Sequence, residues 1–386
     1  MTDILLNEDL ESNAWTSMSD EYLREILLHV AKNKASDVYF LTDFLVTIKK
    51  NNTVVPISRM PLSEFACKRV INIMAGNDDA YMNIMQGNPR NFSYRFKTKL
   101  PNGKRIQIMF RVNAIRDDPG ICVSMRYNPS DILGLKDLNM DSDSPIYANM
   151  FPRKGLVLVT GPTDSGKTTL LYACLREAIL DKSKSFVLNT YESPKEGDLK
   201  LVARTHQITN KLISQCEVPQ SVPSFNDGLD ESLRRNADII LIGEIRKSNE
   251  VEAVVNGVGK MGRLILGTMH TTTTANTVNR MITAIDGSEG EKRAMAYDLI
   301  EGLHLVASQA LLRSTDGKRI AVNEHLVFDQ PIKTRIQKAG MEKYSEEIKK
   351  IMIEKGNTIV DDAKIKLQEG RISQNEFDRF LETCGY

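Results

Sequence analysis

The sequence has no surplus of charge of either sign: 51 Lys and Arg stand against 50 Asp and Glu, a net charge of +1. A chain built to coat nucleic acid or an anionic membrane carries an overall basic footprint, so only a local basic surface is left open to such partners. Long apolar runs are also missing. None approaches the roughly 18 residues needed to span a bilayer, which argues against direct membrane insertion. Cysteine is sparse: Cys67, Cys122, Cys174, Cys216 and Cys384 are scattered, odd in number, and form no CxxC or Cys/His pair at metal-ligand spacing. They read as thiols in a reducing compartment rather than as disulfides or zinc ligands. The opening stretch MTDILLNEDLES is acidic and lacks a basic segment followed by an apolar core, so a cytosolic setting is expected. Internal repeats and low-complexity tracts are absent as well.

A chain of 386 residues exceeds what one hydrophobic core usually serves, and two domains are expected. The first part mixes periods. EYLREILLHVA, from Glu21 to Ala31, has helical apolar spacing, and ASDVYF, from Ala35 to Phe40, switches to the near-alternation of a strand. FLVTIKK reads as a second strand closed by a turn at Asn51 and Asn52. A helix is expected from Leu62 to Met74, a turn at Pro101 to Gly103 before a long strand, and a DDPG turn leading into ICVSMRY. This is the pattern of a small α+β domain over residues 1–130. Residues 131–152 show no sustained periodicity and read as a linker. In residues 153–342 the short apolar runs GLVLVT, SFVLNTY, ADIILIG and GRLILGTMH are separated by segments long enough for crossover helices. Strands buried on both faces of a largely parallel sheet have that signature, so the fold class is α/β. From Asp286 onward helical patterns dominate, apart from the strand-like KRIAVNEHLVF, and residues 343–386 read as a solvated helical extension.

GPTDSGKTT, from Gly161 to Thr169, follows one of the buried strands and opens a helix. Gly161, Gly166, Lys167 and Thr168 match G-x-x-x-x-G-K-[ST] in the strand–loop–helix context that the motif requires. In such a loop the backbone N–H groups of residues such as Ser165 and Thr169 cradle the phosphates, the lysine reaches the terminal ones, and the threonine hydroxyl ligates Mg2+. Asp164 places a carboxylate in this loop. It occupies a variable position where an unusual backbone conformation is common, and is expected to face away from the phosphates. The guanine motif N-K-x-D is missing, because TNKLI has Ile213 where Asp is needed, and no LSGGQ signature is present.

Acidic and polar residues follow at the ends of successive apolar runs. Glu192 and Glu196 lie in YESPKE, Glu244 ends the third run in GEIRK with Arg246 two residues on, and His270 ends the fourth in GTMHTTTT. The carboxyl edge of such a sheet is where ligand chemistry usually sits. There a glutamate can hold the metal shell or orient water, and a histidine can bond a phosphate oxygen or Glu244.

The order GPTDSGKTT, ESPKE, GEIR and HTTTTA resembles the PilT/GspE superfamily of secretion ATPases, over nearly the whole chain. ASDVYF resembles that family's first strand in a PAS-like domain, with Tyr39 in place of a histidine, and GNTIVDDAKIKLQEGRIS resembles its C-terminal helical segment. TYESPKE and SQCEVPQSVPSFNDGLDESLRR are similar to the DotB- and TraJ-type ATPases of type IVB secretion and conjugation. The resemblance implies a homohexamer of two-domain subunits with a RecA-like ATPase domain, bound ATP and Mg2+, and peripheral recruitment to the inner membrane by secretion-system components and substrate or coupling proteins. It also implies a catalytic Glu196, a Walker B Glu244, and phosphate-reaching arginines Arg111 and Arg126 in FRVN and MRYNP. Metal ligation falls to Thr168, Glu192 and Glu244. The sequence departs from the family at Ser193, where Asp is usual, and at Asp230, where many members carry an arginine. Two other classes compete: a RecA-like nucleic-acid translocase, disfavoured by the near-neutral charge, and a non-catalytic ring scaffold, disfavoured by Glu196 and Glu244. Pilus retraction or assembly differs from secretion only in the partner.

Overall fold

The computed structural model describes residues 5–50, 53–99, 105–128 and 132–383. The turns expected at 51–52 and 101–103, the first residue of the expected linker and Cys384 lie outside them. The chain forms two compact units, one made of Met1–Asp131 with the loop Ser193–Gly197, the other of Ile132–Glu192 with Asp198–Tyr386.

The first unit runs α1 (Glu8–Ser17), α2 (Asp20–Lys32), β1 (Asp37–Leu41), β2 (Leu45–Lys50), β3 (Thr53–Pro61), α3 (Glu64–Ala75), α4 (Ala80–Met85), β4 (Arg90–Lys99), β5 (Arg105–Arg116) and β6 (Ile121–Asn128). Its strands make one six-stranded sheet in the order β3-β2-β1-β6-β5-β4, each neighbouring pair antiparallel. Helix α2 starts where the Ser19 side chain accepts the Tyr22 N–H, and its buried stripe of Leu23, Ile26, Leu27 and Val30 shares one core with Val38, Phe40, Val46 and Ile48 of the sheet. The i, i+3, i+4, i+7 spacing of that stripe is the signal that the sequence carries.

The second unit runs α5 (Pro145–Ala148), β7 (Gly155–Thr160), α6 (Lys167–Leu180), β8 (Phe186–Glu192), α7 (Leu199–Thr205), β9 (Lys211–Glu217), α8 (Phe225–Arg234), β10 (Ile239–Ile242), α9 (Ser248–Met261), β11 (Leu264–Met269), α10 (Thr274–Thr283), α11 (Glu289–Gly302), β12 (Leu303–Arg313), β13 (Arg319–Val327), α12 (Gln330–Ala339), α13 (Tyr344–Lys355), α14 (Ile359–Gln368) and α15 (Gln374–Thr383). The seven strands are ordered β13-β12-β7-β11-β10-β8-β9, parallel except for the β12–β13 pair. The central strands β7, β10 and β11 are buried at every residue, as continuous apolar runs between two helical layers must be.

Burial has chemical consequences. Cys67 and Cys174 are free thiols pushed up to about 12, first by desolvation. They stay protonated and unreactive at neutral pH. His304 on β12 and His325 on β13 are held below the ordinary histidine value, again first by burial. A lowered folded-state value means that the folded chain resists protonation, so its contribution to stability is present above the unfolded pKa of about 6.5 and is lost as pH falls through the folded value. Thermal unfolding at a series of pH values is therefore expected to show the midpoint falling on acidification below about 6.5. The His304→Gln/His325→Gln double variant should flatten that slope.

No helix among the described residues is long and apolar enough to cross a membrane. Nor do three or more His, Cys, Asp or Glu among them gather as a ready-made metal site.

Candidate nucleotide site

Four neighbouring strands of the second sheet, β7, β11, β10 and β8, end side by side, with Thr160 opposite Met269 and Ile242 opposite both Gly267 and Tyr191. The residues leaving those ends are the phosphate loop, His270, Gly243–Glu244 and Glu192. Side chains separated by more than a hundred residues thus share one edge.

The loop Gly161–Gly166 needs its glycines. Gly161 has φ +150°, and a Cβ there would stand 2.2 Å from the Gln309 carbonyl oxygen. Gly166 has φ +82° and would press on the Gln309 side chain, whose amide donates to the Ser165 carbonyl at 2.6 Å. Asp164 adopts a left-handed φ of +61°; it is exposed, and its carbonyl accepts from Arg319 at 3.3 Å. A carboxylate is tolerated in this loop because the position demands a backbone shape that Asp accepts more readily than most residues, and because it lies at the surface.

Helix α6 begins at Lys167 with no side-chain cap, whereas α2, α3, α8 and α10 are each capped by a Ser or Thr hydroxyl. The buried Ser165 hydroxyl beside it has no hydrogen-bond partner. Uncapped N–H groups at the positive end of a helix, together with a spare buried hydroxyl, make a cradle that fits an anion's oxygens. Thr168 is half-buried and Thr169 exposed in the same first turn.

Lys167 is buried, and its ammonium donates to the carbonyls of Gly161 at 2.9 Å and Pro162 at 2.7 Å, and to His270 Nδ1 at 3.4 Å. His270 Nε2 lies 3.2 Å from Glu244 Oε1. An ammonium on one ring nitrogen and a carboxylate on the other define a neutral imidazole, accepting at Nδ1 and donating at Nε2. Burial, then Lys167, hold the ring below its ordinary value, while Glu244 pulls it upward and Arg246 downward. The Arg246 guanidinium grips both oxygens of Glu244 through Nε and Nη2. Lys167, His270, Glu244 and Arg246 therefore form one continuous polar chain. Removing the Arg246 cation takes away one of the two positive charges that lower the ring and leaves the pull of Glu244 in place, so Arg246→Ala is expected to raise the His270 pKa, which an NMR titration of the imidazole Cε1–H reads directly.

Gly243 is small for a local reason: a Cβ there would meet the Glu192 Cα at 3.1 Å, where β8 passes close by. Glu192 itself is 3% exposed and both of its oxygens are engaged, Oε2 by the Tyr172 hydroxyl at 2.5 Å and Oε1 by Thr190 at 2.8 Å.

Glu196, Arg111 and Arg126 belong to the first unit. Arg111 and Arg126 are direct cross-strand partners on β5 and β6. Like charges so placed repel by roughly 0.2–1 kcal/mol unless anions sit nearby. Here Glu196 stands 3.6 Å from Arg111, and Asp37 accepts from Arg126 Nε at 3.0 Å. The Asn128 amide also donates to the Glu196 carbonyl. Three residues from distant parts of the sequence are thus gathered on one sheet face.

Gln309 and the fully buried Glu324 were not singled out from the sequence. Glu324 accepts the Thr274 N–H at 2.5 Å and the Ile359 N–H at 3.3 Å, joining the helix after His270 to the C-terminal helices. The available signal was a polar pair inside an apolar strand, SQ in HLVASQALL and NE in IAVNEHLV.

The chain belongs to the type II/IV secretion system protein family, whose model matches residues 14–379. It is 31% identical over 317 residues to the type IV pilus retraction ATPase PilT of Pseudomonas aeruginosa, covering 82% of this chain and 85% of that one. The crystal structure of the Legionella pneumophila ATPase DotB superposes with a TM-score of 0.83 at 27% identity, covering 94% and 96% of the two chains. A crystal structure of the pilus retraction motor PilT with bound ADP shares the fold at a TM-score of 0.75 and 23% identity, covering 92% of this chain and 95% of that one.

Proposed function

We propose that this chain is the ATP-hydrolysing motor subunit of a type IVB secretion or conjugative transfer machine. It works as a cytoplasmic homohexamer, recruited peripherally to the inner membrane by secretion-system components and by substrate or coupling proteins. Residues 1–130 serve as a PAS-like N-terminal domain, 131–152 as a linker, 153–342 as a RecA-like ATPase domain and 343–386 as a helical extension. The observation that carries the reading is the contact chain Lys167–His270–Glu244 at the ends of neighbouring parallel strands, in a member of a secretion ATPase family.

Gly161, Ser165, Gly166, Lys167, Thr168 and Thr169 hold the phosphates of ATP. Lys167 exchanges its carbonyl partners for phosphate oxygens, and the Ser165 hydroxyl gains the acceptor it lacks. Bound Mg2+ supplies charge neutralisation at the terminal phosphates. Thr168 and Glu244 would hold it, and Glu192 would join them only by releasing Tyr172 or Thr190. Glu244 polarises the attacking water, with Glu196 assisting. His270 keeps Glu244 in register with Lys167 and so reports the state of the phosphates. Phosphoryl transfer depends on positioning and on neutralising charge that builds on the transferred group, which is the task of Arg111 and Arg126. Arg111→Ala is therefore expected to lower turnover at least tenfold with the ATP dissociation constant changed by less than about threefold. Equal turnover in variant and parent would remove that assignment.

Identity to a PilT at 31% supports a second reading, a pilus retraction or assembly motor with the same chemistry. Deleting the gene in its host separates the two: loss of substrate transfer supports the first, and loss of surface motility with transfer intact supports the second. A RecA-like nucleic-acid translocase requires DNA-stimulated turnover of the isolated chain, and none is expected from a net charge of +1.

A further inference from the structure

His270 lies among threonines, with Thr268 two residues before it and Thr271 to Thr274 directly after it. Two of them act locally. Thr273 caps α10 by accepting the Asn276 N–H, and Thr272, at the surface, accepts from the Asn276 side chain at 3.3 Å. Thr268 and Thr271 reach further. We propose that Thr268 and Thr277 are positioning residues for ATP hydrolysis: Thr268 fixes Glu244, and Thr277 ties the turn that bears His270 to the strand end that opens the phosphate loop. The inference rests on the reading of Glu244 and His270 as parts of an ATPase site.

Regular structure does not place Glu244. Strand β10 ends at Ile242 and α9 begins at Ser248, so the glutamate belongs to neither element. Thr268, buried on β11, supplies the missing constraint. Its hydroxyl donates to the Gly243 carbonyl at 2.5 Å, and its own carbonyl accepts the Ile245 N–H at 2.9 Å. One threonine therefore holds the residues on both sides of Glu244. A side chain between two pinned peptide groups has little freedom to swing away from His270 Nε2, which stands 3.2 Å from it.

The second tie crosses α10. Thr277 is fully buried, and its hydroxyl donates to the Thr273 carbonyl at 2.8 Å. With its single proton engaged there, the Thr271 hydroxyl at 2.6 Å is the donor to Thr277. Thr160 Oγ1 lies 3.3 Å from the same oxygen, and Ser308 Oγ stands 2.7 Å beyond it. Thr160 is the last residue of β7, directly before Gly161, and Ser308 precedes Gln309, whose amide holds the Ser165 carbonyl. All four hydroxyls are buried. A buried hydroxyl that loses its partner keeps its full desolvation cost, so these bonds resist being broken one at a time. The entry to the phosphate loop and the turn after His270 are thereby held to one another, and the contact of Lys167 with His270 is held with them.

The test is steady-state phosphate release and ATP binding by the full chain in Thr268→Val, Thr271→Val and Thr277→Val, each beside its Thr→Ser counterpart. Valine keeps the shape of the side chain and removes the hydroxyl. Thr268→Val and Thr277→Val are each expected to lower kcat about tenfold with the ATP dissociation constant within about threefold of the parent, and serine at the same position should restore turnover. Thr271→Val breaks the α10 tie from its other end and should repeat the Thr277→Val result, which separates the lost bond from altered packing at Thr277. In a His270→Ala background Thr277→Val should lower kcat no further, because the threonine acts through the histidine. A kcat within twofold of the parent in Thr268→Val and Thr277→Val overturns the proposal. So does failure of serine to restore turnover, or the same proportional loss from Thr277→Val with and without His270. Failure of the ATPase reading looks different: Glu244→Gln then turns over like the parent.

Discussion

Replacing Glu244 by Gln is expected to lower kcat for ATP hydrolysis by about 10²–10³-fold while leaving ATP binding within about threefold of the parent. The change keeps the shape of the side chain and its place at the end of β10. It removes the negative charge that polarises water and turns one of the two oxygens that serve His270 and Arg246 into an amide donor. Because that charge is needed as the transition state forms, the loss should appear in kcat and in kcat/KM together rather than in KM. Steady-state phosphate release over a range of ATP concentrations reads the split. A kcat within twofold of the parent would return the chain to the class of ATP-bound ring scaffolds.

The second large effect belongs to Lys167. Lys167→Ala should weaken ATP binding by about 10²-fold or more, since charge-assisted bonds to phosphate are roughly twice as strong as neutral ones and the lysine is already buried beside the loop. Folding should survive, because the ammonium's present partners, the carbonyls of Gly161 and Pro162, lie in a loop whose backbone is set by its glycines and by Gln309. A fluorescent ATP analogue measures the affinity, and an unchanged thermal midpoint separates lost binding from lost structure. The variant also frees His270 Nδ1, so its imidazole should titrate higher than in the parent, the same direction expected for Arg246→Ala.

Much of the architecture was readable in the sequence because the physical signals were strong. Continuous apolar runs at 155–160, 186–191, 239–242 and 264–269 can be buried only on both faces, and they form β7, β8, β10 and β11 of one parallel sheet. Two further strands were less legible. In DLIEGLHLVASQALLR, apolar residues fit a helix and a strand equally well, and only the tertiary fold places the boundary between α11 and β12 at Leu303. KLISQCE mixes apolar and polar residues without a regular period, and as the edge strand β9 it leaves Leu212 exposed, so it did not stand out beside the fully apolar runs.

The site shows the same division. Motif spacing marked Lys167, Glu244 and His270 along the chain, but that Lys167 and Glu244 reach opposite ring nitrogens of His270 depends on strand order, which local pattern does not encode. Glu196 was read beside Glu192, four residues away, yet Glu192 is buried against Tyr172 and Thr190 while Glu196 faces Arg111 in the other unit. The sharp turn at Ser193–Gly197 separates them, and nothing in YESPKE announces it. Asp164 was the converse case: a carboxylate in a phosphate loop looks adverse until its left-handed backbone and surface position are seen.

The most direct test of the chain as an ATP-hydrolysing motor is steady-state Mg-dependent phosphate release as a function of protein concentration, with molar mass followed by light scattering in the same samples. Turnover per subunit should rise as the mass approaches six chains and vanish in Lys167→Ala and Glu244→Gln. Assembly with ATP bound but no release above those two variants would contradict it.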